Sequence, residues 1–549
     1  MTSDSNTNAG KTITPADHQP GLPLDRLIVH EPPGEDAVSM DVLFVGGGPA
    51  GLAGAIELAR LVEYDVELVN LEIGVLEKSD GLGEHCLSGA IVKPRPFREL
   101  FPGVGDSELP FNRPAPGDRV YVLTEKGKIR IPAPPTMRNR GSYVASISEI
   151  VRWMGERAEA AGVNIFNGFP ADALLVEGGR VEGVRTAAMG LDREGNPGGG
   201  YSAPTDVSAR VTVLAEGTRG SLTQAYLEWQ GIESPNPQIY ALGVKELWET
   251  KRPLDSIIHT LGWPLPKDAF GGSFIYPMAD DLVSLGLVVG LDYHQSSLDV
   301  HALLQEMKQH PLIADLLEGG ELAEWGAKTI PEGGYYSLPE RLHGDGLLMT
   351  GDCAGFVDVP SLKGIHYAVQ SGMFAARTIF DAFKRDDTSV GGLSGYDELV
   401  RQSFIHKDLY RTRNMRLAFK SGFYGGGVKA ALMTATAGAL LGGRIAVSED
   451  AAEPREVTPS AKPPAGDLAV SKVDGVFKSG NTTRDDIPSH LIVDENVPPE
   501  VADFYSHMCP AGVYERQGDR LVVNAPNCID CKATDVLGPR WTPREGGSG

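Results

Sequence analysis

Positive charge is what this 549-residue chain most conspicuously lacks. Fifty lysines and arginines stand against 73 aspartates and glutamates, a formal net charge of −23. A surface of that sign repels phosphate backbones, which excludes nucleic acid as a partner. Cysteine is also scarce. Five in 549 residues do not make a disulfide scaffold, and a reducing compartment follows. The stretch from Met1 to Gly21 has no apolar h-region and no arginine-rich pattern. It reads as neither a secretory signal nor a transit peptide, so a bacterial cytoplasmic setting is expected. Residues 430–443 are uncharged between Lys429 and Arg444. As a helix they would reach about 21 Å, short of the ~30 Å hydrocarbon core, and should not span it.

Glycine is plentiful, and it is organised. Val42-Leu43-Phe44-Val45 runs into Gly46-Gly47-Gly48-Pro49-Ala50-Gly51, then into an Ala/Leu-rich segment ending near Val62. A buried strand, a glycine turn and a helix predict a dinucleotide site. Gly46 permits the turn, Gly48 lets backbone approach a pyrophosphate, and Gly51 lets helix pack on strand. The helix N-terminus offers free N–H groups to the phosphates. A second strand ends at Ile73-Gly74-Val75-Leu76-Glu77, where Glu77 suits a ribose. Further strands are expected at Val211–Leu214, ending in the glycine turn at Gly217, and at Gly346–Asp352. A helix should follow from Gly364 to Phe383. Gly351-Asp352 after an apolar strand favours FAD over NAD, because an aspartate there suits the hydroxyls of a ribityl chain. The same aspartate read blandly is a helix cap. The expected cofactor set is Gly46, Gly48, Pro49, Ala50, Gly51, Glu77, Lys78, Gly217, Gly351, Asp352 and Gly364.

Three of the five cysteines fall near the C-terminus: Cys509, then Cys528 and Cys531 at C-x2-C spacing. Three clustered thiols suit an iron–sulfur cluster, zinc or, more blandly, no ligand at all. Cys86 and Cys353 read as small core residues. Residues 401–429 carry Arg401, Lys407, Arg411, Arg413, Arg416, Lys420 and Lys429 against the single acid Asp408. Basic side chains beside the apolar 430–443 stretch suit anionic headgroups and a helix dipping into one leaflet. A buried Ala/Leu helix beside a solvated basic face is the competing reading.

Several longer stretches then carry a resemblance. They are His259-Thr260-Leu261-Gly262-Trp263-Pro264-Leu265, Gly271-Gly272-Ser273-Phe274, Gly286 to Tyr293, Lys363-Gly364-Ile365-His366, Cys509 to Glu515, and Glu545-Gly546-Gly547. From Asp41 to Gly549 the chain resembles the electron-transfer flavoprotein:ubiquinone oxidoreductases. The resemblance implies an α/β and α+β architecture: a glutathione-reductase-type, Rossmann-like FAD domain, an intertwined quinone-binding domain and a C-terminal ferredoxin-like domain. The boundaries it suggests are a flexible arm at 1–38, an FAD domain at 39–235 plus 340–385, and a quinone domain at 236–339. A helical membrane-associating segment at 386–450, a linker at 451–475 and an iron–sulfur domain at 476–549 complete it. It implies FAD and a [4Fe–4S] cluster as cofactors. Electron-transfer flavoprotein, a membrane quinone and an anionic lipid surface are the implied partners, with peripheral, monotopic attachment on the cytoplasmic face of a bacterial inner membrane. Gly271 and Gly272 fall on the family's quinone-contacting pair, and residues 86–106 on a second membrane-facing region. His366 aligns with a family histidine and is expected to be a satisfied structural residue.

One position departs. The family's third cysteine of C-x2-C-x2-C is Thr534 here. Three outcomes are open: a [4Fe–4S] cluster with an oxygen ligand from Asp530 or Asp535, a [3Fe–4S] cluster, or none. Retention of a cluster is expected, because three sulfurs still bind most of the cube.

Overall fold

The buried runs assemble into two sheets facing one another across a cavity. The structure, a computed structural model, describes residues 10–86, 89–436, 438–440, 442–460 and 466–545. The first sheet has nine strands among these. Its parallel centre orders Asn164–Asn167, Ile73–Glu77, Val38–Val45 and Asp206–Leu214, with Leu347–Met349 parallel to the end of the last. Such strands are covered on both faces and must be apolar throughout. Val42, Leu43, Phe44, Val211 and Val213 are accordingly fully buried. Arg180–Thr186 and Ala171–Glu177 extend the sheet antiparallel.

Helices Pro49–Val62 and Ile365–Lys384 lie against each other beside this sheet. Their approach depends on small residues. A Cβ on Gly372 would come within 2.1 Å of the Ala50 carbonyl, and one on Gly54 within 2.4 Å of the Phe44 ring. This contact fixes the two helix N-termini relative to each other, and both open on the cavity.

The second sheet orders Glu321–Pro331, Tyr240–Glu249, Leu282–Gly290, Gly271–Pro277, Ile257–Gly262, Asp118–Leu123 and Lys128–Ile131. All neighbours are antiparallel except Ile257–Gly262 with Asp118–Leu123. The expected boundary at residue 236 is therefore incomplete, because 118–131 belong to this sheet and not to the FAD body.

The expected flexible arm is also corrected over residues 10–38. Thr12–Ile13 pairs with Arg455–Glu456, and Ile28–Val29 adds to the edge of the first sheet beside Leu174–Leu175. Gln19 Nε2 donates to the carbonyls of Asp535 and Gly538, both at 3.0 Å. Residues 1–9 lie outside the described chain. The linker expected at 451–475 is likewise structured where described. Arg455 is fully buried and donates to the Leu291 and Asp450 carbonyls at 2.7 Å, while Lys462, Pro463 and Pro464 fall outside the described residues.

The membrane segment expected at 386–450 divides. Helices Gly395–Gln402 and Phe404–Thr412 bury Tyr396, Val400, Ile405 and Leu409 in the core of the first sheet. Only the helix Phe423–Ala435 and the described residues just beyond it protrude, with Val428, Leu432 and Leu440 exposed; Ala437 and Leu441 lie outside the described residues. The basic stretch before it largely turns inward. Arg416 pairs with Asp292 and Glu332, Lys420 with Asp292 and Glu453, and Arg413 donates to the Tyr410 and Gly438 carbonyls. Lys407 and Arg411 remain exposed. No helix among the described residues is long and apolar enough to cross a membrane.

Candidate functional site

A cavity of about 460 Å³ lies between the two sheets. Its floor is the glycine turn. Gly46 has φ +115, and a Cβ there would come within 2.4 Å of the Ala215 carbonyl; one on Gly51 would come within 2.1 Å of the Gly46 carbonyl. Only glycine permits this path. Gly48 instead faces open space. Pro49 opens the helix at its first turn, where a missing N–H costs nothing. Gly46, Gly48, Pro49, Ala50, Glu77, Lys78, Gly217, Gly351, Asp352 and Gly364 all line the cavity, while Gly51 packs behind the turn.

The carboxylates are in place for a ligand rich in hydroxyls. Glu77 accepts from the Gly47 N–H at 2.9 Å and from the Ser79 N–H at 3.0 Å, which aims it across the end of its strand. Asp352 lines the cavity, and burial pushes its carboxyl up to about 6 against the opposing pull of Lys328. Donors from a polyol would satisfy it. An open glycine cradle, a helix N-terminus and a ligand-facing carboxylate at each end fit FAD.

The opposite wall is the second sheet, which contributes Gly243, Lys245, Phe274, Tyr276, Val288 and Lys328. Gly271 and Gly272 are not among the lining residues. They open the strand Gly271–Pro277, opposite Val289 and Val288. Adjacent Phe270 packs its ring, tilted by 58°, 5.0 Å from that of Phe419, at the foot of the protruding helix. His366 is buried with neither ring nitrogen hydrogen-bonded among the described residues, so the expected satisfied histidine is corrected. Cys353 donates to the Leu214 and Thr350 carbonyls, and burial pushes both it and Cys86 up to about 12.

The second pocket is small, about 10 Å³, and is lined by Cys509, Cys528, Cys531, Tyr514 and Thr534. Cys509 caps the helix Pro499–Met508, and Cys528 and Cys531 flank a tight turn in which Asp530 takes positive φ, as does Lys532 just after it. All three sulfurs are buried, which pushes the thiols upward, Cys531 to about 12. Such a set stays protonated unless a cation sits among it. Three convergent thiols fit an iron–sulfur cluster.

The two acids expected as fourth ligands are differently placed: Asp530 has a carboxylate oxygen within 4.8 Å of the Cys528 sulfur and of a His490 ring nitrogen, and both acids are held by basic partners. Asp530 does not line the pocket. It is bound by Lys78 at 2.5 Å, Trp541 at 2.9 Å and Arg544 at 3.2 Å. Burial alone would raise it, yet Arg544 and Lys78 hold it well below the usual range. Asp535 is taken by Arg219 at 2.6 Å and the Trp541 N–H at 3.0 Å. The oxygens that do line the pocket are the hydroxyls of Thr534 and Tyr514, hydrogen-bonded to each other.

The two pockets adjoin. Lys532 lines both. Thr329, on the cavity wall, donates its N–H to the Cys531 carbonyl at 2.9 Å, and Lys328 reaches the Asp530 carbonyl at 3.1 Å. Lys245, Lys328 and Lys532 carried no readable signal: single lysines in alternating or loop sequence look like solvent-facing residues.

Fold and pockets together define an FAD-dependent oxidoreductase with an iron–sulfur domain closed against its flavin cavity. A family profile described as "ETF-QO, ubiquinone-binding" matches residues 240–330, and one described as "Electron transfer flavoprotein-ubiquinone oxidoreductase, 4Fe-4S" matches 466–549. Mitochondrial electron transfer flavoprotein-ubiquinone oxidoreductases of Arabidopsis thaliana and Homo sapiens are each 36% identical, over 94% and 93% of this chain and 84% and 88% of theirs. The chain belongs to the electron transfer flavoprotein-ubiquinone oxidoreductase family, as the sequence resemblance implied. In fold alone it is similar to a geranylgeranyl bacteriochlorophyll reductase-like protein from Thermoplasma acidophilum, with TM-score 0.56, 20% identity and coverage of 74% of this chain and 93% of that one. A flavin-dependent brominase gives 0.52 at 18% identity, with 73% and 94% covered.

Proposed function

We propose that this protein takes electrons from a reduced electron-transfer flavoprotein and delivers them to a membrane quinone, ubiquinone or menaquinone, at the cytoplasmic face of a bacterial inner membrane. When bound, FAD supplies one- and two-electron chemistry and the cluster supplies single-electron transfer. The chain's own work is holding and separating these groups. Backbone N–H groups at Gly46–Gly51 take the pyrophosphate, Glu77 the ribose and Asp352 the ribityl hydroxyls. Cys509, Cys528 and Cys531 would hold the cluster through their sulfurs. The N–H groups of Gly271 and Gly272 meet a quinone carbonyl, close to the Phe270–Phe419 contact.

The observation that supports this reading is the sharing of Lys532 by both pockets, so that a flavin and a cluster bound there would be neighbours. The exposed Val428, Leu432 and Leu440 support monotopic attachment by apolar contact. Exposed Lys407 and Arg411 leave a smaller role for anionic lipid than the sequence suggested.

Anaerobic titration with reduced electron-transfer flavoprotein, followed by optical absorbance and EPR, should reduce flavin and cluster together, and a short-chain quinone should reoxidise both. Leu432→Ser should slow turnover with quinone carried in vesicles while sparing the short-chain quinone. Flavin that stays oxidised in the presence of the reduced donor would end the reading.

A further inference from the structure

Reducing a quinone to a quinol consumes two protons as well as two electrons, and the second sheet holds a side chain suited to deliver them. Lys245 lies on the strand Tyr240–Glu249 and lines the cavity wall, 5% exposed. Its nearest hydrogen-bonding oxygen is the Gly89 carbonyl at 3.5 Å, and no carboxylate among the described residues lies within salt-bridge distance of it. The residue opposite it is Gly286 on one neighbouring strand and Gly326 on the other. Neither glycine supplies a counter-charge, and the Phe274 ring lies over Gly286, where a Cβ would come within 2.6 Å of it.

The register places Lys245 beside the expected quinone pair. Gly243, Val288 and Gly272 form one row across three strands, and Lys245, Gly286 and Phe274 form the next row on the same face. Strands about 4.8 Å apart and two-residue steps of about 7 Å put the Lys245 and Gly272 backbones on the order of 12 Å apart on one face, a patch for the lysine side chain and the quinone ring together to cover. Phe274 and Tyr276, stacked at 4.7 Å, give that patch a flat apolar border. The charged or titratable groups around Lys245 are Glu324 on the neighbouring strand, Cys86 on the facing loop, and Lys328, His85 and Tyr276 along the cavity.

We propose that Lys245 is the proton donor in quinone reduction. This rests on the quinone-reductase reading above. At each transfer an Nζ–H bond breaks and an O–H bond forms on the quinone oxygen, whose C=O double bond becomes single as it gains electrons from the reduced protein. The resulting amine regains a proton from water, so two cycles supply both protons of the quinol. Burial, which lowers the ammonium to about 7, suits a group that must give up and regain a proton near neutrality.

The test compares two acceptors on flavin-loaded wild type, Lys245→Met and Lys245→Arg. A short-chain quinone needs protons; ferricenium takes one electron and none. In both variants the ratio of quinone to ferricenium turnover should fall on the order of 100-fold, and the alkaline limb of the wild-type quinone pH profile should disappear. A purely structural role would lower both acceptors together. If Lys245→Met fails to retain flavin, Lys245→Arg decides, since arginine keeps the charge and cannot donate near neutral pH. An unchanged ratio and pH profile in Lys245→Arg would overturn the role of Lys245. Absence of quinone turnover in the wild type would instead overturn the quinone reading itself.

Discussion

Lys245 and Glu246 are consecutive residues on one strand, and strand geometry sends them to opposite faces of the second sheet. Their surroundings differ completely. Glu246 is fully buried under the helix Val300–Lys308, where it accepts from Lys308 at 2.8 and 2.9 Å, Gln305 at 2.9 Å and Trp248 at 2.7 Å. Lys245 faces the cavity with one long contact to a carbonyl. A buried charge that is matched on every side holds structure, whereas one left unmatched beside a cavity is waiting for something the chain does not itself provide. The same sheet thus has a structural face and a working face.

Breaking the matched face should have the largest effect. Lys308→Met leaves the Glu246 carboxylate buried with only neutral donors, and should cost about 3–5 kcal/mol in denaturant unfolding. Adding Glu246→Gln should recover much of that loss, because the double variant buries no charge. A single variant as stable as wild type would show that Glu246 is not ionised there, and the contrast with Lys245 would collapse.

The unmatched face should respond with the opposite sign. The ammonium of Lys245 is held at about 7 in the folded protein, against an ordinary value of 10.5. The unfolded chain therefore binds more protons between those limits, and wild-type stability rises with pH from about 7 towards 10. Lys245→Met removes this group, so the variant should lose that rise and be more stable than wild type below pH 7, on the order of 3 kcal/mol. Thermal unfolding at pH 6 and pH 9 separates the two. A variant less stable than wild type at pH 6 would mean the ammonium has a partner after all.

What could be read from sequence was whatever local geometry dictates. The turn at Gly46–Gly51 needs glycine at fixed offsets whatever lies elsewhere, and Cys528 and Cys531 announce a turn that brings sulfurs together. What failed depended on distant partners. The basic stretch 401–429 looked like a lipid-facing surface because Asp292, Glu332 and Glu453, which neutralise Arg416 and Lys420, lie far away in the chain. Asp530 and Asp535 looked like free oxygen donors because Lys78 and Arg219 come from the FAD body. Residues 10–38 looked unstructured because a two-residue strand has no periodicity to detect, and Thr12–Ile13 exists only through Arg455–Glu456. Lys245 was invisible for the same reason: its distinguishing feature is that the residues opposite it on two other strands, Gly286 and Gly326, are glycines.

The smallest effect expected extends the contrast of matched and unmatched groups to the second pocket. Three thiols line it together with the Thr534 hydroxyl, which is paired with Tyr514 and donates to the Pro539 carbonyl at 3.2 Å. With its one hydrogen on the Pro539 carbonyl, Thr534 accepts from Tyr514, which burial keeps protonated, so Thr534 would offer a cluster only a neutral hydroxyl, a weak ligand. Thr534→Cys supplies a fourth thiolate at the cost of two buried hydrogen bonds, about 1–2 kcal/mol. Its effect on folding should be slight, but the low-temperature EPR of the anaerobically purified protein should move towards that of a four-cysteine [4Fe–4S] centre, with iron per flavin rising towards four. An unchanged spectrum at unchanged iron content would mean that the wild-type cube is already complete, with its fourth corner held by something other than Thr534.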